Sequence, residues 1–135
     1  MEPFEFLIPK RPVSLQTKNR KNLQARKSYV RAEAAKAWPQ DRRPISSTAL
    51  RCSIVYICDN SPADIDNIIK PIQDALVGLV FEDDFLVSDV DSHRRFLSEP
   101  IDVTFLPSLL QGGVAYGNEC VYVKICNAQH LENYL

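Results

Sequence analysis

Glycine is scarce: there are four in 135 residues, and no glycine-rich turn of the kind that cradles a phosphate with backbone amides. No uninterrupted apolar run approaches the roughly 18 residues of a membrane span. The opening MEPFEFLIPK lacks the basic start and apolar stretch of a secretory signal. A cytoplasmic protein with reduced thiols is the expectation. The two histidines, His93 and His130, are isolated, and the order of residues suggests no Ser-His-Asp or Cys-His arrangement. The cysteines form two pairs six positions apart, Cys52 with Cys58 and Cys120 with Cys126, and neither has the close Cys-x-x-Cys spacing of a zinc site. Along an extended strand such a pair is about 20 Å apart, too far for an internal disulfide. Bridging between strands stays geometrically open, and all four are read as core thiols. Internal repeats, low-complexity tracts and long linkers are missing as well.

What is present suits one domain over residues 1–135. The chain is 45% apolar and 24% charged, so a real core can form. At this length roughly two-thirds of the unfolded surface can be buried, and folding requires neither disulfides nor structural zinc. The net charge of -1 conceals a polarity. Twelve Lys and Arg against four acids fall in residues 1–51, a sum of +8; four basic residues against thirteen acids follow, a sum of -9. A basic arm and an acidic centre point toward nucleic acid plus a metal ion, unless the halves neutralise each other across the fold or a dimer.

Periodicity predicts the elements. Residues 3–9 alternate with Phe4, Phe6 and Ile8 on one side, as a half-buried first strand does. Residues 17–38 read as a basic amphipathic helix stopped by PQDRRP. Residues 48–58 read as a central strand with Leu50, Cys52, Ile54, Tyr56 and Cys58 on one face. After the turn DNSP, residues 63–77 read as a helix whose apolar stripe is Ile65, Ile69, Ile72 and Leu76, and which Pro71 should kink or shift. Gly78 ends it. Strands are expected at 86–96, 100–106 and 119–126, with 107–118 a loop. The fold class that follows is α+β, a mixed sheet of about four to five strands with two main helices.

Five carboxylates, Asp64, Asp66, Asp74, Asp83 and Asp84, lie within 21 positions around the second helix. Asp64 and Asp66 fit its first turn as ordinary capping acids, and Asp66, Lys70 and Asp74 share a face as an ordinary surface ladder. Neither account covers Asp83 and Asp84, which return toward the same helix if the chain doubles back after Gly78. Clustered carboxylates repel unless a cation joins them. Mg2+ takes one or two carboxylates and leaves its other positions to water and phosphate, so converging aspartates suit it. Such a site can cleave a phosphodiester while Lys70 offsets charge in the transition state. A calcium loop is excluded: counted from Asp59, it puts Asp64 where glycine is needed and Lys70 where the bidentate Glu belongs.

The stretch PADIDNIIKPIQDALVGLVFEDDFLV, residues 62–87, resembles the hallmark of the RusA family of Holliday junction resolvases: Asp-x-Asp-Asn, a Lys three residues on, Asp-Ala-Leu, a Gly, then Asp-Asp. The resemblance implies a RusA-like fold and a magnesium-dependent, homodimeric endonuclease that resolves four-way DNA junctions by paired nicks. Mn2+ is the alternative ion, and neither an organic cofactor nor a membrane is involved. By position it implies that Asp64, Asp66 and Asp84 are catalytic, metal-binding aspartates with Asp83 the other member of the acidic pair. It further implies that Lys70 is the essential lysine and that Asn67 and Asp74 are supporting. Departures are Phe85, Leu86 and Val87, where a small or polar pair precedes the aliphatic residue, Arg94 in place of a downstream lysine, and an acidic balance where the family's better-known members are basic.

Arg20, Lys27 and Arg31, spaced 7 and 4 apart, share a helical face able to track a DNA backbone. Arg94 and Arg95, next to His93, are further phosphate contacts in this reading. Tyr29 and Trp38 are assigned to the core rather than to base stacking. Two alternatives stay open: a non-catalytic DNA-binding dimer that retains the motif, and a metal-dependent nuclease for another branched nucleic acid.

Overall fold

The computed structural model of the chain describes residues 2–9, 20–59 and 65–135, with side chains from Gln24 onward in the first helix and from Asn67 onward in the second. Alternation decides the strands. In β1 (Phe4–Ile8) Phe4, Phe6 and Ile8 are buried and the residues between are half-covered. β2 (Leu50–Cys58) turns Leu50, Cys52, Ile54, Tyr56 and Cys58 into the core, as its pattern predicts. With β3 (Val87–Phe96) and β4 (Cys120–Asn127) these form one mixed sheet in the order β1-β4-β2-β3. β4 is antiparallel to both β1 and β2, whereas β3 runs parallel to β2 with Ile54 opposite Ser92 and Tyr56 opposite Arg94.

Parallel neighbours require a crossover, and α2 (Ile65–Leu76) lies in it. α1 (Arg20–Ala37) connects β1 to β2 and packs on α2. Both helices cover one side of the sheet, where Val30, Ala34 and Trp38 meet Phe4, Ile54, Ile68, Ile72 and Leu76. Trp38 is a core residue as expected: it stands edge-on to Phe4 with ring centroids 4.9 Å apart, and its Nε1 donates to the Arg42 carbonyl at 3.0 Å. Tyr29 packs half-buried against the same cluster.

The structure corrects three expectations. The segment 100–106 is a turn and not a strand: Asp102 Oδ1 accepts from the amide and the hydroxyl of Thr104, and the Leu106 amide reaches the Val103 carbonyl. Its alternation of Ile101, Val103 and Phe105 has no strand to pair with, and local hydrogen bonds win. The supposed loop 107–118 contains α3 (Ser108–Tyr116), so the described residues form three α-helices and four strands. Gly113 is the reason the helix fits: a Cβ there would meet Cys120 Sγ at 3.1 Å and Leu7 at 3.3 Å, so its absence admits the helix to the second side of the sheet. In α2 the fully buried stripe is Ile68, Ile72 and Leu76, and Ile69 is only half-buried. The helix packs against both the sheet and α1, which widens its buried face and turns its centre about one residue from the expected line. α2 runs through the buried Pro71 as one helix.

All four cysteines are free; three are buried and Cys126 is half-buried. Burial pushes the Cys52 thiol up to about 12 and that of Cys120 up to about 11, so neither forms a thiolate at neutral pH.

The rotation of α2 gives an unequal pair of outcomes. Ile68→Ala should cost about 2–5 kcal/mol, the range for a buried large-to-small change, and Ile69→Ala clearly less. Urea unfolding of both variants measures this; equal losses would restore the stripe expected from periodicity.

Candidate active site

Burying Ile68, Ile72 and Leu76 turns the opposite face of α2 to solvent. On it Lys70 and Asp74 follow one another a turn apart, and Asp66 precedes Lys70 by four positions along the helix. The Lys70 ammonium lies 2.8 Å from Asp74 Oδ1 and 2.7 Å from Asp84 Oδ2. The second contact joins residues fourteen positions apart and depends on how the chain leaves the helix.

Gly78 takes φ +83°, a left-handed conformation that a side chain would strain, and the chain reverses there as its position predicts. The Gly78 amide donates to the Phe81 carbonyl at 2.7 Å, and the Leu79 and Val80 amides return to the Leu76 carbonyl. Val80 and Phe81 are buried, and Ile45 clasps the segment from outside through the Val80 carbonyl and the Glu82 amide. Asp83 then accepts the Phe85 amide at 2.9 Å and starts a single 3-10 turn, Asp84–Leu86, that leads into β3. Two apolar anchors and one cap therefore deliver Asp84 back to α2.

The ammonium and the carboxylates define each other's charge. Hydrogen bonds to Asp74 and then to Asp84 raise the pKa of Lys70, so it stays protonated. Asp84 is held below the usual carboxylate range chiefly by the hydrogen bond it accepts from Lys70. Asp74 also receives Lys27 Nζ at 3.4 Å.

The expected DNA-facing residues divide. Lys27 reaches Asp74, and Arg31 Nη1 donates to the carbonyls of Val77 at 2.7 Å and Ala75 at 3.4 Å, at the end of α2 where carbonyls lack helical partners. Arg20 is the first residue of α1, and its side chain lies outside the described residues. Arg94 shares the helix side of the sheet with Tyr56 and lies 5.4 Å from the Phe96 ring centroid. Arg95 is on the reverse side, exposed, with Nη1 donating to the Arg94 carbonyl. Asn67 is half-buried in α2. Asp64 lies outside the described residues, and so does the side chain of Asp66. Among the described residues, no three groups of His, Cys, Asp or Glu are placed to hold a metal ion.

Sequence reasoning passed over three residues. Glu119 accepts from the Tyr56 hydroxyl and from the Asp59 amide, both at 3.2 Å, and so fixes the strand end from which the chain leads to Asp64. It carries no sequence signal, because its partners are some sixty positions away. Gln73 is a buried polar residue whose side chain bonds the Cys52 thiol. Its signal is a polar residue directly after a fully buried position, Ile72, of the apolar stripe. Asp91 accepts from Arg51 and Ser53 at 2.7 Å each and lies 2.9 Å from His93 Nε2. Burial pushes its pKa up, but the bonds from Ser53, Arg51 and His93 outweigh burial and leave it lowered.

The family model for endodeoxyribonuclease RusA matches residues 8–104. That span takes in the close of β1, both site-bearing helices and all of β3. No curated protein sequence matches the chain. With its match over most of the chain and Lys70 held against Asp84, the chain belongs to the RusA endodeoxyribonuclease family, a family of Holliday junction resolvases.

Proposed function

We propose that the chain resolves four-way DNA junctions as a homodimer, by paired symmetric nicks that depend on a divalent metal, Mg2+ or Mn2+. Asp64, Asp66 and Asp84 are the metal-binding catalytic residues in this reading, Asp83 adjoins them, and Lys70 is the catalytic cation. The observation that carries it is the 2.7 Å contact of Lys70 with Asp84, which joins the helix motif to the acidic pair.

The donor set fits such an ion. Mg2+ requires ionised oxygen ligands and room for water and a phosphate. Asp84 is ionised, and its side chain is 37% exposed, so it faces an open site. Asp66 stands one helical turn before Lys70. When bound, the metal supplies an activated water and stabilises the departing oxygen. Lys70, kept protonated, donates and cannot accept a proton; it offsets the charge that builds on the phosphate oxygens. Asp74 holds the ammonium by its second hydrogen bond and Lys27 steadies Asp74, which makes both positioning residues, with Asn67 in support.

For the DNA, Arg94 is favoured by its place on the side of the sheet that carries α2. Arg20, Lys27, Arg31 and Arg95 are further backbone contacts, although Lys27 and Arg31 already serve α2. Such contacts position a duplex without reading its sequence. A cytoplasmic location accompanies a DNA substrate; no described helix is long and apolar enough to cross a membrane.

Asp84→Asn should abolish Mg2+-dependent nicking of a synthetic four-way junction and leave binding in a gel-shift assay intact or tighter, since a repulsive charge is removed. Full nicking by the purified variant would overturn the assignment of Asp84. Lys70→Met should lower turnover about 10²- to 10³-fold, the usual cost of losing one transition-state donor. Because Lys70 is half exposed, its ion pairs contribute little to folding, and thermal unfolding should shift by less than about 3 °C. A normal rate would remove Lys70 from the mechanism, and a large loss of stability would make it structural.

A further inference from the structure

β3 is an edge strand. Nine of its ten residues pair with β2 on one side, Ser88 falling at a register shift, and among the described residues nothing pairs with the other. A long unpaired edge invites another strand unless its sequence prevents it.

The sequence of β3, VSDVDSHRRF, is acidic before its centre and basic after it. Asp89, Asp91, His93 and Arg95 lie on one face because they alternate. Suppose an antiparallel copy is laid alongside with Ser92 opposite Ser92. Asp89 then faces the second chain's Arg95, Asp91 faces its His93, and each contact occurs twice. Sliding the register by two residues toward the start of the strand sets Asp91 against Asp91; sliding it the other way sets Asp91 against Arg95 but leaves Asp89 beyond the pairing. A parallel arrangement sets like against like throughout. Opposite charges directly across an antiparallel pair stabilise it, and like charges destabilise it. The unshifted antiparallel register is the one that sets Asp89 opposite Arg95, and it is twofold.

Two observations agree with it. Among the described residues Ser92 Oγ is the buried side-chain polar atom with no hydrogen-bond partner, and it sits at the centre of this register. Directly opposed residues bring their Cβ atoms to about 5 Å, within reach of a hydroxyl–hydroxyl bond. Val90, on the same face as Ser92, is 45% exposed, an apolar residue left open beside the unpaired edge.

We propose that β3 is the homodimer interface: two copies join edge to edge, antiparallel about Ser92, into one eight-stranded sheet with Asp89–Arg95 ion pairs at both ends. The proposal deepens the dimeric part of the function proposed above and rests on it only for its consequence; the interface itself is decided by association state, without reference to nicking.

The experiment uses the whole chain with charge exchange. Sedimentation equilibrium should find the wild type dimeric. Asp89→Arg and Arg95→Asp should each weaken self-association at least about tenfold, because each sets like charges opposite one another twice. Mixed together, the two variants should recover dimer, since each acidic position of one then meets a basic position of the other. The double variant D89R/R95D should self-associate again for the same reason. Circular dichroism identifies any variant that fails to fold, and Ser92→Cys then serves in its place: opposed Cα atoms at about 4.5–5.5 Å permit a disulfide, so mild oxidation should yield a covalent dimer. A monomeric wild type, single variants that remain dimeric, a mixture that stays monomeric, or a Ser92→Cys chain that does not cross-link would each overturn the interface. A monomer that still nicks junctions would defeat the interface and spare the nuclease assignment; a dimer of this kind without nicking would do the reverse.

Discussion

Electrostatic repulsion among carboxylates is the constraint from which the architecture of this protein can be read. The second half of the chain is strongly acidic, and the fold brings Asp84 back onto a helix that already carries Asp66 and Asp74. Like charges gathered in this way repel, and a cation between them offsets the cost. Lys70 supplies one from the same helix, placed between Asp74 and Asp84. The basic first half supplies others: Lys27 reaches Asp74, Arg31 covers the last carbonyls of α2, and Arg51 holds Asp91. Part of the polarity between the two halves is thus neutralised within one chain. Lys27 and Arg31 of the basic helix serve the acidic centre and the end of α2.

The site is built on a crossover helix. A helix joining parallel strands is held against the sheet along its length, so the opposite face is rigidly presented. Ile68, Ile72 and Leu76 anchor α2, and Val80 and Phe81 anchor the return. Between the anchors the chain changes direction once, at Gly78, in a conformation that alanine would strain. The position of Asp84 follows from backbone geometry and apolar burial, and not from its attraction to Lys70. The ion pair is half exposed and weak by itself; it reports a placement that the core enforces.

What was legible in the sequence follows this division. Period-2 and period-3.6 patterns fixed β1, β2, α1 and α2, because each has one buried face. The reversal at Gly78 was legible because a left-handed turn demands glycine. Residues 100–116 were misread because their outcome depends on distant partners. Ile101, Val103 and Phe105 alternate like a strand, but the sheet gives them no neighbour; Gly112 and Gly113 argue against a helix until Leu7 and Cys120 approach so closely that only glycine fits. The choice of Ile68 over Ile69 likewise depends on α1 lying beside α2. Of the site, the residue types and their spacing were visible, while Glu119 was not, since only the folded sheet brings it to Tyr56 and Asp59.

The proposed pairing of the edge strand would link this site to the symmetry of a junction. When two antiparallel strands extend one sheet, the twofold axis between them is normal to the sheet, so both copies of α2 lie on the same side. β3 begins just after Asp84, and pairing about Ser92 sets Val87 of one chain ten residues along the strand from Val87 of the other, about 33 Å at roughly 3.3 Å per residue. In such a dimer two sites on one surface, related by a twofold axis, would match a substrate with twofold symmetry that is cut at two equivalent phosphodiesters. The charge order of β3, acidic then basic, would by this argument be the element that sets the separation of the two cuts. A surface strand whose charges served only solubility would have no reason to order them by sign.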